Sequence, residues 1–100
     1  MKDSARIPDS DIEAQIARTL AWISGRLREE RKARGWTVNE LALRAGMERP
    51  NLSRVESARG NISVRTICRI CFAMGLTFRE LLECRQDDRE ERQNDTPEDQ

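Results

Sequence analysis

Histidine is missing from all 100 residues, and several kinds of chemistry leave with it. A serine or cysteine nucleophile has no imidazole to activate it, the commonest general base is unavailable, and histidine metal ligands cannot occur. The five glycines form no phosphate-cradling loop, and no carboxylate pair stands apart from the helix-surface charges, so no enzyme is expected. Cysteine is scarce too. Cys68 and Cys71 make a C-x-x-C, but Cys84 is the only other cysteine and cannot complete a four-ligand zinc site, so neither metal nor cofactor is expected. Aromatic residues amount to 4%, which argues against an aromatic-rich β-sandwich and for a small helical protein. No apolar run reaches the roughly 18 residues of a membrane span, and the leading M-K-D-S-A-R-I-P-D-S lacks a signal-peptide apolar region. The expectation is a cytoplasmic protein without membrane contact, its thiols reduced and no disulfide framework formed.

Charge is what the chain has in quantity, at 36% of its residues, with Lys/Arg and Asp/Glu balanced at 18 each. The balance hides unlike segments. Residues 20–83 hold 12 Lys/Arg against 7 Asp/Glu, a net of +5, whereas residues 1–19 carry −1 and residues 84–100 carry −4. A basic middle suits a phosphate-facing surface, because neutralising phosphates releases counterions. The last stretch, from Arg85 to Gln100, has no aliphatic or aromatic residue, so it reads as a disordered acidic tail.

The length allows one small domain, and apolar spacing divides it into five helices of an all-α fold. The first runs from near Asp9 or Ser10 to Arg34 with Ile12, Ile16, Leu20, Ile23 and Leu27 on one stripe, and Gly35 stops it. Gly25 costs about 1 kcal/mol relative to alanine and leaves open a bend or break, which would set off a partly helical extension over 1–19 from the domain over 20–83. Thr37 and Glu40 form a capping box for a second helix over Val38–Ala45, ended by Gly46. A third helix spans about Arg49 to Ala58, with Leu52 and Val55 inward. Ser63 caps a fourth whose apolar face carries Val64, Ile67, Cys68, Cys71 and Met74, widened by Ile70 and Phe72, so both cysteines are expected in the core. Thr77 and Glu80 open a short fifth helix that buries Phe78, Leu81 and Leu82 and ends near Cys84.

Two short helices joined by a glycine turn present the third helix outward, and its exposed positions carry donors suited to base edges. Arg49 can donate two hydrogen bonds to guanine O6 and N7, and Asn51 can pair with adenine N6 and N7. Arg54 lies one turn further on. The ring of Pro50 can touch a thymine methyl, and Ser53 suits a phosphate or a water.

The ordered series R-K-A-R-G-W-T, E-L-A at Glu40 to Ala42, A-G-M at Ala45 to Met47 and L-S-R-V-E at Leu52 to Glu56, continued by Asn61 and Ser63, resembles the lambda-repressor/Cro-like (XRE) helix-turn-helix regulators. The resemblance covers Ile23 to Leu82. It implies a five-helix DNA-binding domain, with phosphate contacts at Thr37, Asn39, Arg44, Arg59 and Asn61 beside Ser53. It also implies a partly buried ion pair between Arg31 and Glu56, and a dimer surface at Phe78, Leu82 and Cys84, for which Ile12, Ile16 and Leu20 are the rival. Two positions depart from the pattern: Val38 replaces a frequent glutamine, and Glu48 stands where a small hydroxyl cap is common. The expected activity is sequence-specific transcription regulation by a homodimer on double-stranded DNA, as a repressor or promoter-proximal controller. R-G-N-I-S-V-R-T-I resembles the loop and helix start of restriction–modification controllers. A protein-binding adaptor or antitoxin-type protein, holding a protein partner through the N-terminal extension or the acidic tail, is the alternative.

Overall fold

In the computed structural model, residues 6–83 are described and form five α-helices: α1 (Asp9–Ala33), α2 (Val38–Ala45), α3 (Arg49–Glu56), α4 (Val64–Ala73) and α5 (Phe78–Leu82). Among the described residues no strand occurs, and no helix is long and apolar enough to cross a membrane. Cys84 and the acidic tail lie outside the described residues.

Local chemistry sets most of the helix ends. Thr37 and Thr77 each complete a capping box: the threonine hydroxyl accepts from the backbone N–H three residues on, and Glu40 or Glu80 accepts from the threonine N–H. The Ser63 hydroxyl accepts from Thr66 N at the start of α4. Gly46 adopts φ 67° at the end of α2, and Met47 N–H reaches back to Ala42 O at 2.9 Å, so the chain reverses sharply into α3.

Two ends differ from the expectation. Gly25 does not interrupt α1, which is continuous for 25 residues and runs across the position where an extension was expected to part from the domain. The third helix stops at Glu56, two residues early. Ala58 N–H bonds to Val55 O and Arg59 N–H to Arg54 O, which draws Ala58 into the left-handed region at φ 59°. This closure is of the kind glycine usually makes, and alanine hid it in the sequence.

Ile23 and Leu27 of α1, Leu41 and Ala42 of α2, Leu52 and Val55 of α3, Ile67, Ile70 and Cys71 of α4, Met74, and Leu81 of α5 make a single core. Trp36, Val38, Met47, Ile62 and Phe78 pack against its edge. Cys68 is exposed, contrary to the expectation of a buried cysteine pair. The buried face of α4 is formed by Ile70, Met74, Ile67 and Cys71, which span about 100° of the helix, and a residue that follows one on the far side of that arc is turned out of it. Cys68 follows Ile67 and Phe72 follows Cys71, so both fall outside the core, with Phe72 82% exposed. Val64, in the first turn, is exposed as well, and so is Leu82, which was expected to be buried.

Candidate nucleic-acid interface

α1 holds α3 from behind. The Ser24 hydroxyl donates to Val55 O at 2.7 Å, Arg28 Nη1 donates to Glu56 O, and Arg31 grips the Glu56 carboxylate with two bonds, Nε to Oε2 at 2.8 Å and Nη2 to Oε1 at 3.1 Å. A third Arg31 bond reaches Trp36 O at 2.8 Å. The last carbonyls of a helix lack a partner in its regular pattern; here Arg28 supplies one to Glu56 O, and Ser24 adds a second donor to Val55 O beside Ala58 N–H. Arg31 and Glu56 are both buried, so the pair makes its hydrogen bonds largely away from water. Cationic donors at the negative end of the α3 dipole add to the hold.

With its far end fixed, α3 turns the opposite face to solvent. Arg49, Pro50, Asn51 and Arg54 are all exposed, while Leu52, Val55 and Glu56 face inward and Ser53 is half-buried. Pro50 occupies the first turn, where no intrahelical N–H bond is lost. Glu48 makes no side-chain cap, and among the described residues no ion pair engages Arg49, Arg54 or Arg59. Their guanidinium groups keep all their donors for another molecule.

Not every expected contact residue comes to the same place. Asn51, Arg54, Arg59 and Asn61 line one open polar groove together with Gly46, Glu48, Thr66 and Arg69. Arg49 and Pro50 lie on the exposed first turn of α3. Thr37, Asn39 and Arg44 are exposed on α2 and its cap. The Thr37 backbone N–H is committed to Glu40, which leaves only the hydroxyl proton to offer a phosphate. The Arg44 guanidinium stacks on the Trp36 ring at 4.1 Å, a contact that holds the charge in position without neutralising it.

Sequence reasoning missed Arg69, which reaches across from α4 to Ala45 O at 3.4 Å and adds a cation to the groove. Its position one turn past Arg65 on the polar side of α4 was a visible signal, but only the α2–α4 packing turns it toward α3. Also missed was a network behind the site. Buried Arg26 donates to Leu81 O at 3.1 Å and pairs with Glu29 and Glu30, and Arg34 pairs with Glu30 at 2.8 Å while donating to Met74 O at 2.8 Å. Burial pushes the Glu30 carboxyl up, yet the hydrogen bonds and charges of Arg34 and Arg26 together outweigh it and hold Glu30 below its ordinary value. Among the described residues no cluster of side chains could hold a metal ion.

The helix-turn-helix domain family matches residues 22–83 of this chain. A hypothetical transcription factor of Neisseria meningitidis serogroup B is 33% identical over 78 residues, which are 78% of this chain and 68% of the relative. Among solved structures, the restriction–modification controller protein C.AhdI of Aeromonas hydrophila is 33% identical, with a TM-score of 0.60 over 64% of this chain and 97% of its own. The hypothetical transcription factor NHTF of Neisseria aligns with a TM-score of 0.64 at 29% identity, over 89% of this chain and 95% of its own. With the turn, the buttressed second motif helix and the matched segment in agreement, the chain belongs to the helix-turn-helix domain family.

Proposed function

We propose that this protein is a sequence-specific DNA-binding regulator of transcription that works as a homodimer on a pseudo-palindromic operator. One observation carries the reading: α3 exposes Arg49, Asn51 and Arg54 without internal partners, on a helix whose other end is tied down by Ser24, Arg28 and Arg31. Such a helix enters a major groove with its N-terminal residues toward the base edges. Arg49 reads guanine, Asn51 reads adenine, and Pro50 sits against a thymine methyl. Arg54, one turn on from Asn51, joins the base contacts; Arg59, Asn61 and Arg69 line the groove beside α3, where the phosphate backbone would pass, and Thr37, Asn39, Arg44 and Ser53 complete the phosphate contacts. One short helix spans too few base pairs for strong discrimination, so two copies reading half-sites about 34 Å apart supply affinity and symmetry together. The likeness to C.AhdI favours a promoter-proximal controller within this class.

A protein-holding role on the same fold is the second reading. Leu43, Val64 and Phe72 favour it, as large apolar side chains left open to solvent on α2 and α4.

Fluorescence anisotropy on duplexes from the upstream promoter and on random duplexes, titrated with salt, separates the readings. Arg49→Ala is expected to cost about 1–3 kcal/mol on the preferred duplex and to relax the base preference at one position. Arg59→Ala is expected to weaken both duplexes alike and to lower the salt slope by about one. Binding unchanged in both Arg49→Ala and Arg54→Ala overturns DNA reading and favours the protein-holding role.

A further inference from the structure

Arg54, Arg59 and Arg69 line the groove beside α3, and one carboxylate stands among them, that of Glu48 at the cap position of the helix. A side chain at this position ordinarily accepts from the first N–H groups of the helix, as the hydroxyls of Thr37, Ser63 and Thr77 do for α2, α4 and α5. Glu48 does not. Its side chain makes no cap, and among the described residues it takes part in no hydrogen bond or ion pair, although three guanidinium groups share the groove. It is exposed, and Asn51, one turn on, lines the same groove, so the free carboxylate stands on the side of α3 that carries the proposed base contacts.

A carboxylate in that place is selective because it accepts hydrogen bonds and donates none. Phosphate oxygens repel it, and guanine O6 and N7 and thymine O4 offer it no proton. The major-groove edge holds two donors for it, cytosine N4 and adenine N6. Adenine sets its N7 acceptor beside N6, against the second carboxylate oxygen, whereas cytosine has a C–H on that side. We propose that Glu48 is a specificity-determining base contact, its carboxylate accepting from N4 of a cytosine beside the base pairs met by Arg49 and Asn51. The assignment rests on the DNA reading of the proposed function and adds a position to it. The same charge acts against every duplex that lacks this cytosine, since the carboxylate then faces acceptors and phosphates with no donor of its own, and binding to unselected DNA is weakened.

The test is selection of bound DNA from a duplex library with a randomised core, by the full-length wild type, Glu48→Ala, Glu48→Gln and Arg49→Ala, followed by anisotropy on singly substituted duplexes. Circular dichroism establishes folding, and both Glu48 variants should melt near the wild type, because the side chain has no partner to lose. The wild type should enrich a cytosine at one position that Glu48→Ala leaves unselected, the preference for cytosine over guanine or thymine there falling about tenfold. Glu48→Gln should move that preference toward adenine, because a carboxamide pairs with N6 and N7 together. Both variants should bind unselected duplex more tightly than the wild type does. Arg49→Ala should flatten a different position and keep the cytosine. Glu48→Ala enriching the same sites as the wild type overturns the assignment and leaves the DNA reading standing. So does Glu48→Ala losing no cytosine but only the guanine that Arg49→Ala also loses, which would make Glu48 a residue that orients Arg49. A wild type that enriches no sequence, with Arg49→Ala and Arg54→Ala binding as it does, overturns both.

Discussion

Ala58 is the described non-glycine residue with positive φ, and it ends the helix on which the proposed base contacts stand. A left-handed conformation costs an L-residue about 1–2 kcal/mol, and glycine removes that cost while losing some entropy from the unfolded chain. Ala58→Gly is therefore expected to raise stability by roughly 0.5 kcal/mol, seen as a few degrees in the thermal midpoint; a lower midpoint would show that the turn carries no such cost. The cysteines divide just as sharply. Burial, with smaller contributions from the neighbouring Cys68 and Glu30, pushes the Cys71 thiol up to about 11, so at neutral pH it is protonated and shielded. Cys68, three residues earlier on the same helix, is open to solvent. Iodoacetamide at pH 8 followed by peptide mass spectrometry should label Cys68 in the folded protein and Cys71 only after denaturation. Equal labelling of the two would contradict the packing of α4.

At the scale of elements, the candidate interface is a relation between α1 and α3 more than a property of α3. Arg31 and Glu56 are buried together, and removing one partner leaves the other charged and unsatisfied, at about 3–5 kcal/mol. Glu56→Ala should accordingly lower the urea midpoint far more than Arg49→Ala, whose exposed guanidinium makes no ion pair or hydrogen bond among the described residues. At temperatures where the variant is still folded, its relative preference among duplexes should hold while its affinity falls. A Glu56→Ala protein as stable as the wild type would mean that Ser24 and Arg28 suffice to hold α3. Thr37, Thr77 and Ser63 show how much of this level is local: each cap is written within four residues, and the structure forms each one. The end of α3 was not legible in the same way, because alanine has no special preference for the left-handed turn it makes there.

For the whole molecule, the Arg26–Glu30–Arg34 network joins α1 to Leu81 in α5 and to Met74 at the end of α4. Glu30 is held below its ordinary value of 4.5, so it binds fewer protons when folded than when unfolded across the acid range. The sign follows directly: its contribution is fully present above the unfolded value and is lost as pH falls through the folded one. Thermal midpoints should therefore be level with respect to this group from pH 7 to about 5.5 and decline below pH 4.5. In Glu30→Gln the neutral-pH midpoint should be lower and the acid decline shallower. An acid decline of unchanged steepness in that variant would remove Glu30 from the account.

What the sequence determined by itself is whatever depends on near neighbours: an all-helical chain, capped starts at Thr37, Ser63 and Thr77, glycine ends at Gly46 and Gly75, and an inward Leu52 and Val55 that leave Arg49, Asn51 and Arg54 outward. Periodicity and capping act over one or two turns, so they survive without knowledge of the fold. Packing decided the remainder. The apolar stripe of α1 is uniform in sequence, yet only Ile23 and Leu27 meet the core, because the other helices cover one half of α1 and stop. Cys68 and Phe72 look like core residues until the orientation of α4 turns them out, and Arg69 lines the groove beside α3 only because α4 lies against α2. These facts arise from contacts between residues far apart in the chain, where no local pattern records which side of a helix its neighbours will occupy.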